Sequence, residues 1–406
     1  MTTHEFILKN WITSVRDPNF NNKKYLPNKY MTPSADGVFQ NFYYWDTYFI
    51  NVGLLADGDI EMARNNLNIM DYFVREQGFI PNADHLLYGS QPPLFTRGIF
   101  DLYSKTKDIN DIKKYIESAI KELQFWYKKR ESEIPGLSQY KCGFPEDFCI
   151  NNWKYFCDRV GGYNEVELSM PKVEMTQNTY AIAESGWDMN SRFLSKGNRF
   201  NILKFVGVDL NSILCDAETK ISIMLEIIGD KNRSNIFKTK AKQRQKLIDK
   251  YMLNKDNVYF DYNFVDKEHS SLLSAASLYP YALGVSKNKE GCLCVFNKLK
   301  EKHGISSSEK KEGACFQWDY PNMWPPIVYF AFNALINTGS FEEAKWLRKE
   351  YMHTVEKVYK ETGRLWEKYN PITVKTSYNK EYDTPTMLGW TAGIYEYFYM
   401  MGDKYV

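Results

Sequence analysis

The sequence predicts an all-α fold, and three observations support this prediction. Apolar residues recur at steps of three and four along much of the 406-residue chain, which is the spacing of one buried face of an α-helix. Strand-like alternation is short and local, as at residues 257–262. No Pro/Gly/Ser-rich linker and no low-complexity segment divides the chain. We therefore expect one helical domain over residues 1–406, and the periodicity alone fits a ring of helices, a bundle or a solenoid.

The helical pattern is clear in two stretches of the first third of the chain, one starting at Ile60 and one near Ile112. Since the apolar positions of each stretch fall on one side of a helix, each helix is predicted to bury a single face. The predicted buried positions are Ala63, Leu67, Met70 and Val74 in the first helix, and Ile112, Tyr115, Ile116, Ala119, Ile120 and Leu123 in the second.

A third helix is predicted to begin after Gly339. Ser340 and Glu343 have the spacing of a capping box, in which the hydroxyl and the carboxylate each satisfy a backbone N–H at the helix start. The apolar positions that follow are Ala344, Leu347 and Tyr351.

The composition is that of a globular chain with a sizeable core. Hydrophobic residues make up 44% and charged residues 25%, and the formal net charge is only +2. No long run of one charge sign is present, which argues against a dedicated nucleic-acid surface. The basic stretch at residues 238–246 is predicted to be a solvated helix face. Aromatic residues are abundant at 16%, and this excess suits a site that stacks sugar rings, although most of these rings must lie in the core.

The N-terminal residues 1–6 lack a basic segment followed by an apolar run, so no signal peptide is visible. No apolar stretch approaches the roughly 20 residues of a membrane span. The seven cysteines are odd in number, scattered, and without zinc-site spacing. These features predict a cytoplasmic chain with free thiols, with no metal, no cofactor and no membrane partner.

Two short motifs place a carboxylate beside a tryptophan. Residues 183–188 read Ala-Glu-Ser-Gly-Trp-Asp, and residues 365–369 read Leu-Trp-Glu-Lys-Tyr. Hydrolysis of a glycosidic bond needs two carboxyl groups, one to protonate the leaving oxygen and one to activate water or attack the sugar. A neighbouring Trp gives an apolar wall for a sugar ring and can raise the pKa of the acid. The two motifs therefore indicate a glycosidase. An acidic residue next to a Trp also occurs by chance, so the motifs alone are a weak signal.

Further motifs accompany these two in a fixed order along the chain. They are Phe-Tyr-Tyr-Trp-Asp-Thr-Tyr-Phe at 42–49, Gly-Phe-Ile-Pro-Asn at 78–82, Ser-Gln-Pro-Pro at 90–93, Gln-Trp-Asp-Tyr-Pro-Asn at 317–322 and Gly-Trp-Thr at 389–391. This series resembles the trehalase family of inverting glycoside hydrolases, from about Phe39 to Trp390. The resemblance implies an (α/α)6 barrel, with residues 1–35 as an N-terminal extension packed on it.

The resemblance also implies the catalytic pair. Asp188 matches the general acid of the family and Glu367 the general base. The alternatives are structural: Asp188 as a helix N-cap or ion-pair partner of Arg192, and Glu367 as a surface carboxylate paired with Lys368. Because the family inverts, the resemblance implies carboxyl groups about 6.5–9.5 Å apart, with room for a water molecule.

Trp45 and Asp46 resemble the pair that grips a sugar in the family, since a buried carboxylate can accept hydrogen bonds from vicinal hydroxyls. The alternative is a helix-end Asp beside a core Trp. Five further residues lie in matching motifs, and their alternative role is to orient loops at the rim: Asn82, Gln91, Gln317, Trp318 and Asp319. The remaining predicted substrate-binding residues are Phe39, Tyr44, Lys172, Glu174, Gly186, Trp187, Trp324, Glu381 and Trp390.

The chain departs from the family at three arginine positions. Val38 and Gly89 stand where the family has Arg, and Lys172 stands in place of a third. Lys does not reproduce the planar fork of donors of a guanidinium group. The glycine-rich segment before the late Glu is replaced by residues 375–380. These changes predict weakened trehalose recognition.

The sequence therefore favours an inverting hydrolase of a small α-linked glycoside such as trehalose. One alternative is an α-glucosidase or α-mannosidase whose substrate has a different aglycone, acidic if Lys172 contacts it. Another is a non-catalytic sugar-binding protein on a hydrolase fold, although binding alone would not require both carboxylates. The expected partner in every case is a small carbohydrate.

Overall fold

The computed structural model describes residues 1–20, 26–160, 171–195, 199–312, 316–377, 384–386 and 388–402. Helices dominate this part of the chain. They are α1 (Thr3–Asn10), α2 (Tyr44–Asp57), α3 (Ile60–Gln77), α4 (Phe95–Thr106), α5 (Ile109–Lys128), α6 (Glu146–Val160), α7 (Lys172–Glu184), α8 (Val208–Ile227), α9 (Lys231–Met252), α10 (Tyr279–Ala282), α11 (Lys289–Leu299), α12 (Pro325–Asn337), α13 (Phe341–Thr362) and α14 (Trp390–Met401).

The strands of the described residues are two residues long and pair antiparallel. They stabilise loops and do not form an extended sheet. They are β1 (Val15–Arg16), β2 (Tyr30–Met31), β3 (Leu194–Ser195), β4 (Arg199–Phe200), β5 (Phe205–Val206), β6 (Tyr262–Asn263), β7 (Glu268–His269), β8 (Lys300–Glu301), β9 (Gly304–Ile305), β10 (Tyr369–Asn370) and β11 (Lys375–Thr376). Of the alternating stretch at residues 257–262, only its last residue lies in a strand, β6.

Six helices form a closed inner ring. In the order α2, α4, α8, α10, α12 and α14 each contacts the next, and α14 packs back on α2. A second layer surrounds them: α3, α5, α9, α11 and α13 pack on the outside, and α1 packs on α14. This two-layer ring is the (α/α)6 barrel that the family resemblance implied. The helix pair α6 and α7 lies between α5 and α8 in the chain, outside this alternation.

Sequence composition explains which helices lie inside. Every residue of α2 from Tyr44 to Leu55 is buried, and α12 is buried almost throughout, because both helices consist mostly of apolar residues. The outer helix α9 instead buries one stripe that includes Phe237, Ala241 and Ile248. Most of the basic stretch at residues 238–246 is exposed on its other side, as predicted.

The predicted buried faces of α3 and α5 are confirmed, except that Ile120 is only half-buried. The third helix, α13, begins after Ser340 as predicted, but the capping box is wrong. Among the described residues the Ser340 hydroxyl makes no capping bond to the first turn of α13. A hydroxyl caps a helix only when its oxygen is directed at the N–H groups of that turn.

The inner helices α2 and α14 touch through their backbones. A Cβ on Gly53 would lie 2.5 Å from the Cα of Gly393, and a Cβ on Gly393 would lie 2.1 Å from the carbonyl oxygen of Phe49. Both positions therefore require glycine. Among the helices that the structure describes, none has the length and apolar composition needed to cross a bilayer.

The first residues of the chain pack on the last helix. His4 Nδ1 lies 2.7 Å from Glu396 Oε2, and the Trp11 indole donates to the carbonyl of Leu388 over 3.1 Å. The segment that the resemblance assigned to an N-terminal extension thus supplies an outer helix, α1, beside α14.

Candidate active site

A polar cavity of about 80 Å³ lies at the end of the barrel where α2, α12 and α14 begin. That volume is enough for several water molecules. The described residues that line it are Phe39, Tyr43, Trp45, Asp46, Asn82, Gln91, Gly186, Asp188, Trp318, Trp324, Glu367 and Trp390. Eleven of these twelve were predicted site residues; Tyr43 was not.

Three carboxyl groups of the described residues meet in this cavity. Asp46 lies in the first turn of α2, Asp188 follows the end of α7, and Glu367 lies between α13 and β10. The pKa of Asp46 is raised well above its usual range, first by burial and then by the negative charges of Glu367 and Asp188. Burial and the neighbouring charges both disfavour the ionised form of Asp46, so this carboxyl group retains a proton readily. The cavity therefore places a carboxyl group that can hold a proton beside two others.

Glu367 is paired with its neighbour in the sequence. Lys368 Nζ lies 2.5 Å from Glu367 Oε2, and the two side chains are 0% and 2% exposed. The Lys368 ammonium also lies 4.6 Å from the centre of the Trp324 ring. The alternative of a surface carboxylate is therefore wrong, although its partner is the expected lysine. Glu367 is further fixed by its carbonyl, which accepts from the Trp390 indole over 2.9 Å.

Arg192, which was considered as an ion-pair partner of Asp188, instead pairs with two other carboxylates. Its guanidinium donates to Asp209 over 2.9 Å and to both oxygens of Asp261 over 2.9 and 3.1 Å. All three of these side chains are buried. Arg192 thus ties the loop after Asp188 to the start of α8, since Asp209 is in its first turn.

Glu184, the first acid of the motif at 183–188, anchors the loops around the cavity. It accepts three hydrogen bonds from the buried guanidinium of Arg130, at 2.7 to 2.9 Å. The backbone N–H groups of Ser90 and Lys141 donate to it over 3.0 and 2.9 Å. Ser90 precedes Gln91, whose side chain accepts from the backbone of Trp45 over 2.9 Å. The sequence analysis missed Arg130, because no spacing links it to its distant partner.

Tryptophans form the apolar wall of the cavity. Trp318 and Trp324 stack with ring centres 3.8 Å apart, and Trp390 meets both edge-on. Such faces suit the C–H side of a sugar ring. Gly186 has a φ of +74°, and a Cβ there would lie 3.3 Å from the Trp45 ring, so a side chain would intrude on the cavity wall.

Six of the predicted residues lie outside the lining. They are Tyr44, Lys172, Glu174, Trp187, Gln317 and Asp319. Tyr44 is buried and donates to Glu122 over 2.6 Å. Lys172 is exposed, with its ammonium 4.1 Å from the Trp153 ring, and Glu174 is half-buried in the same first turn of α7.

The other three support the cavity from behind. Trp187 stacks on Trp318 at 5.3 Å, and the carbonyl of Gln317 accepts from the Trp324 indole over 3.0 Å. Asp319 accepts from the backbone and hydroxyl of Ser191, and burial raises its pKa to about 6. Glu381 lies outside the described residues.

Tyr43 is the lining residue that the sequence analysis missed. It is the residue before α2, in an extended conformation. Burial, followed by the charge of Asp46, raises its pKa above the ordinary value. Within a run of aromatic residues nothing in the sequence distinguishes it from its core neighbour Tyr44.

No Arg or Lys side chain is among the described residues that line the cavity. Val38 is exposed, and Gly89 has no atom within 4 Å of the position of a Cβ. Two basic residues that a neighbouring loop could have supplied in place of the missing arginines are also outside the described lining. Arg97 pairs with Asp216 over 3.1 Å, and Lys375 is exposed on β11.

Comparison with known proteins identifies the family. The family model described as Trehalase matches residues 9–401. The chain belongs to the trehalase family. The periplasmic trehalase of Escherichia coli O1:K1 is 29% identical over 389 residues, covering 91% of this chain and 68% of that protein. The periplasmic trehalase of Shigella flexneri is 28% identical over the same shares of both chains. As a member of this family the chain is a glycoside hydrolase.

Solved structures agree on the fold. Neutral trehalase Nth1 from Saccharomyces cerevisiae superposes with a TM-score of 0.75 at 22% identity, covering 99% of this trehalase-family chain and 80% of the other. A GH63 mannosylglycerate hydrolase from Thermus thermophilus superposes with a TM-score of 0.68 at 13% identity, covering 98% and 99%. At these identities the likeness concerns the barrel alone.

Proposed function

We propose that this trehalase-family chain hydrolyses trehalose to two glucose molecules, with Asp188 as general acid, Glu367 as general base, and inversion at the attacked carbon. One observation carries the proposal: two carboxylates from motifs far apart in the sequence line the same cavity. Trehalose is the substrate because the relatives that the chain matches over most of its length are named trehalases.

The proposed steps follow from the positions of the two groups. Glu367 removes a proton from a water molecule in the cavity as that water attacks the anomeric carbon. Asp188 gives its proton to the leaving glycosidic oxygen, so atoms and charge balance without a covalent intermediate. Lys368 supports Glu367, because its ammonium pairs with the buried carboxylate over 2.5 Å.

Asp46 and Trp45 are proposed to hold the sugar during these steps. Asp46 is buried at the start of α2 and lines the cavity beside the two catalytic carboxyl groups. A carboxyl group in that place can accept hydrogen bonds from two neighbouring hydroxyls of a pyranose. The Trp45 ring supplies an apolar surface next to it. Asn82 and Gln91 are proposed as further hydrogen-bonding groups.

The described lining of the cavity favours a neutral substrate. It contains no Arg or Lys side chain that could pair with an anionic aglycone. A charge that is buried without a partner is costly, so an anionic aglycone would bind poorly there. The alternative of an acidic aglycone depended on Lys172, which lies outside the lining. A neutral disaccharide is therefore the better fit.

Proton NMR of trehalose hydrolysis tests the proposal. Inversion converts the attacked residue to β-glucose, while the leaving residue keeps its α configuration. The expected early spectrum contains both anomers in equal amounts before mutarotation mixes them. Two α anomers would contradict inversion, and no release of glucose at high enzyme concentration would contradict the substrate. The cytoplasmic location stays a prediction, since the curated relatives are named periplasmic.

A further inference from the structure

Two cysteines meet beside the active-site end of the barrel. The Sγ atoms of Cys142 and Cys149 are 3.8 Å apart, although the residues are seven positions apart in the chain. Cys142 lies in the loop before α6 and is half-buried; Cys149 is in the second turn of α6 and is buried. A disulfide bond has a sulfur separation of about 2.05 Å. The two sulfur atoms therefore need to approach by only about 1.8 Å.

Aromatic packing holds the segment between the two cysteines in this shape. The Phe144 ring stacks on Phe148 at 4.5 Å and on Tyr180 at 4.1 Å. Phe148 is the neighbour of Cys149 in α6, and Tyr180 belongs to α7. Because Phe144 is fixed against both helices, the loop residue Cys142 is folded back toward Cys149. The closeness of the sulfur atoms is thus a product of local packing.

We propose that Cys142 and Cys149 are a redox modification site, which closes to an intramolecular disulfide when the chain meets an oxidising disulfide such as oxidised glutathione. This inference is independent of the proposed substrate. It changes one expectation from the sequence, which predicted that all seven cysteines are free thiols. In a reducing compartment the pair stays open, and in an oxidising one it closes.

The reaction is thiol–disulfide exchange in two steps. One cysteine loses its proton, and its thiolate attacks a sulfur of oxidised glutathione, giving a mixed disulfide and one glutathione thiol. The second cysteine loses its proton and attacks the protein sulfur of the mixed disulfide, which releases the second glutathione thiol. The protein loses two electrons and two protons, and oxidised glutathione gains them.

The site is connected to the anchor of the active-site loops. Lys141, which precedes Cys142, donates its backbone N–H to Glu184 over 2.9 Å. Glu184 is the carboxylate that Arg130 and Ser90 also hold. A bond across residues 142–149 would therefore restrict the chain next to this anchor. We expect the oxidised chain to have a higher thermal midpoint than the reduced chain, because the crosslink restricts the unfolded state.

Peptide mass spectrometry tests the bond. Burial raises the pKa of the Cys142 thiol to about 12 and also raises the pKa of the Cys149 thiol, so thiolates are scarce and the incubation must be long. The full chain is incubated at about pH 8.5 in glutathione buffers of increasing oxidised fraction. It is then acid-quenched, unfolded and alkylated. The expected product is one peptide species in which Cys142 and Cys149 carry no alkyl group and two hydrogens are missing. A bond from either residue to another cysteine, a lasting glutathione adduct, or alkylation of both at every ratio would overturn the proposal.

A second pair in the chain is the matched control. Cys292 and Cys294 are two positions apart in α11, yet residues two apart on a helix point to different sides. They should stay alkylatable at every ratio. The Cys149→Ser variant separates the crosslink from general effects of oxidant: its thermal midpoint should be equal in both buffers, while that of the unaltered chain should rise on oxidation. Equal midpoints for the oxidised and reduced unaltered chain would overturn the predicted stiffening.

Discussion

Lys368 Nζ lies 2.5 Å from Glu367 Oε2, with both side chains buried at the edge of the active-site cavity. A buried charge is stable only when it is paired. The lysine therefore offsets the cost of burying the carboxylate, because it supplies the opposite charge that a buried ion needs. The Trp324 ring under the ammonium supplies further stabilisation of the cation.

Lys368→Met tests this relationship. Loss of the ammonium leaves a buried carboxylate without its ion-pair partner, which costs about 3–5 kcal/mol. The thermal midpoint and the kcat for trehalose should therefore both fall. Lys360→Met, at an exposed position of the outer helix α13, is the control and should leave both quantities in place. An unchanged midpoint and an unchanged kcat for Lys368→Met would contradict the supporting role.

Asp188→Asn and Glu367→Gln should each lower kcat by about 10²–10⁴, because each removes one proton-transfer group and nearly keeps its shape. Steady-state glucose release measures the loss, and the thermal midpoint checks the fold. Asp36→Asn, an exposed carboxylate before α2, should keep normal rates. Near-normal rates in either of the first two variants would remove that residue from the mechanism.

The described lining of the cavity holds no Arg or Lys side chain, which predicts selection against anionic substrates. Trehalose should have a kcat/KM at least about tenfold above that of α-glucosides with a carboxylate in the aglycone, since burying an unpaired charge costs more than about 1.4 kcal/mol. A panel that pairs each acidic glycoside with its neutral amide isolates the charge. Equal kcat/KM for acid and amide would contradict this selection.

Replacement of Gly89 by arginine is expected to increase activity on trehalose. The family has Arg at this position, and a side chain has open space there, with no atom within 4 Å of a Cβ. A hydrogen bond from a charged donor is worth about 1.5–3 kcal/mol. Gly89→Arg should therefore raise kcat/KM for trehalose by about tenfold or more. Gly89→Ala controls for the backbone change. A lower kcat/KM for the Arg variant than for the Ala variant would mean that the guanidinium does not reach the sugar.

The raised pKa of Glu122 leads to a prediction of how the free energy of unfolding depends on pH. Burial raises its pKa to about 8, and the hydrogen bond from Tyr44 offsets only part of this effect. In the unfolded chain the same group ionises near its ordinary value of 4.5. The folded state thus holds a proton that the unfolded state loses. Its contribution to the free energy of unfolding is complete below about pH 4.5 and declines as the pH rises toward 8.

Glu122→Gln removes this titration while keeping a polar group near Tyr44. Urea midpoints between about pH 5 and about pH 8 should fall less steeply for the variant than for the unaltered chain. Glu61→Gln, on the exposed side of α3, should follow the unaltered chain. Parallel curves for all three chains would mean that Glu122 is ionised in the folded state.

The sequence predicted the barrel and most of the cavity because the residues that carry the chemistry are concentrated in short motifs. The prediction was wrong where it had to choose which of two neighbouring residues faces the cavity. Tyr44 was predicted to line the site, yet it points to Glu122, and its neighbour Tyr43 lines the cavity instead. Successive residues at a helix start differ by about 100° in direction, and hydrophobicity does not reveal which of two tyrosines faces the ligand.

Contacts between residues that are distant in the sequence could not be predicted for a different reason. Arg130 and Glu184 form a buried, three-bond ion pair, but 53 other residues separate them in the chain. Nothing local marks either residue as the partner of the other. The same holds for Cys142 and Cys149, whose contact depends on how Phe144 packs.

The glycine contact between α2 and α14 has a consequence for biosynthesis. Gly53 and Gly393 touch, so the inner ring closes through residues from opposite ends of the sequence. A nascent chain emerges from the ribosome N-terminal end first, so the side of α2 that carries Gly53 stays exposed until α14 has been synthesised. Closing so long a loop is slow. The inner ring is therefore completed only when α14 packs on α2, and chaperones should bind the growing chain mainly at this exposed side of α2.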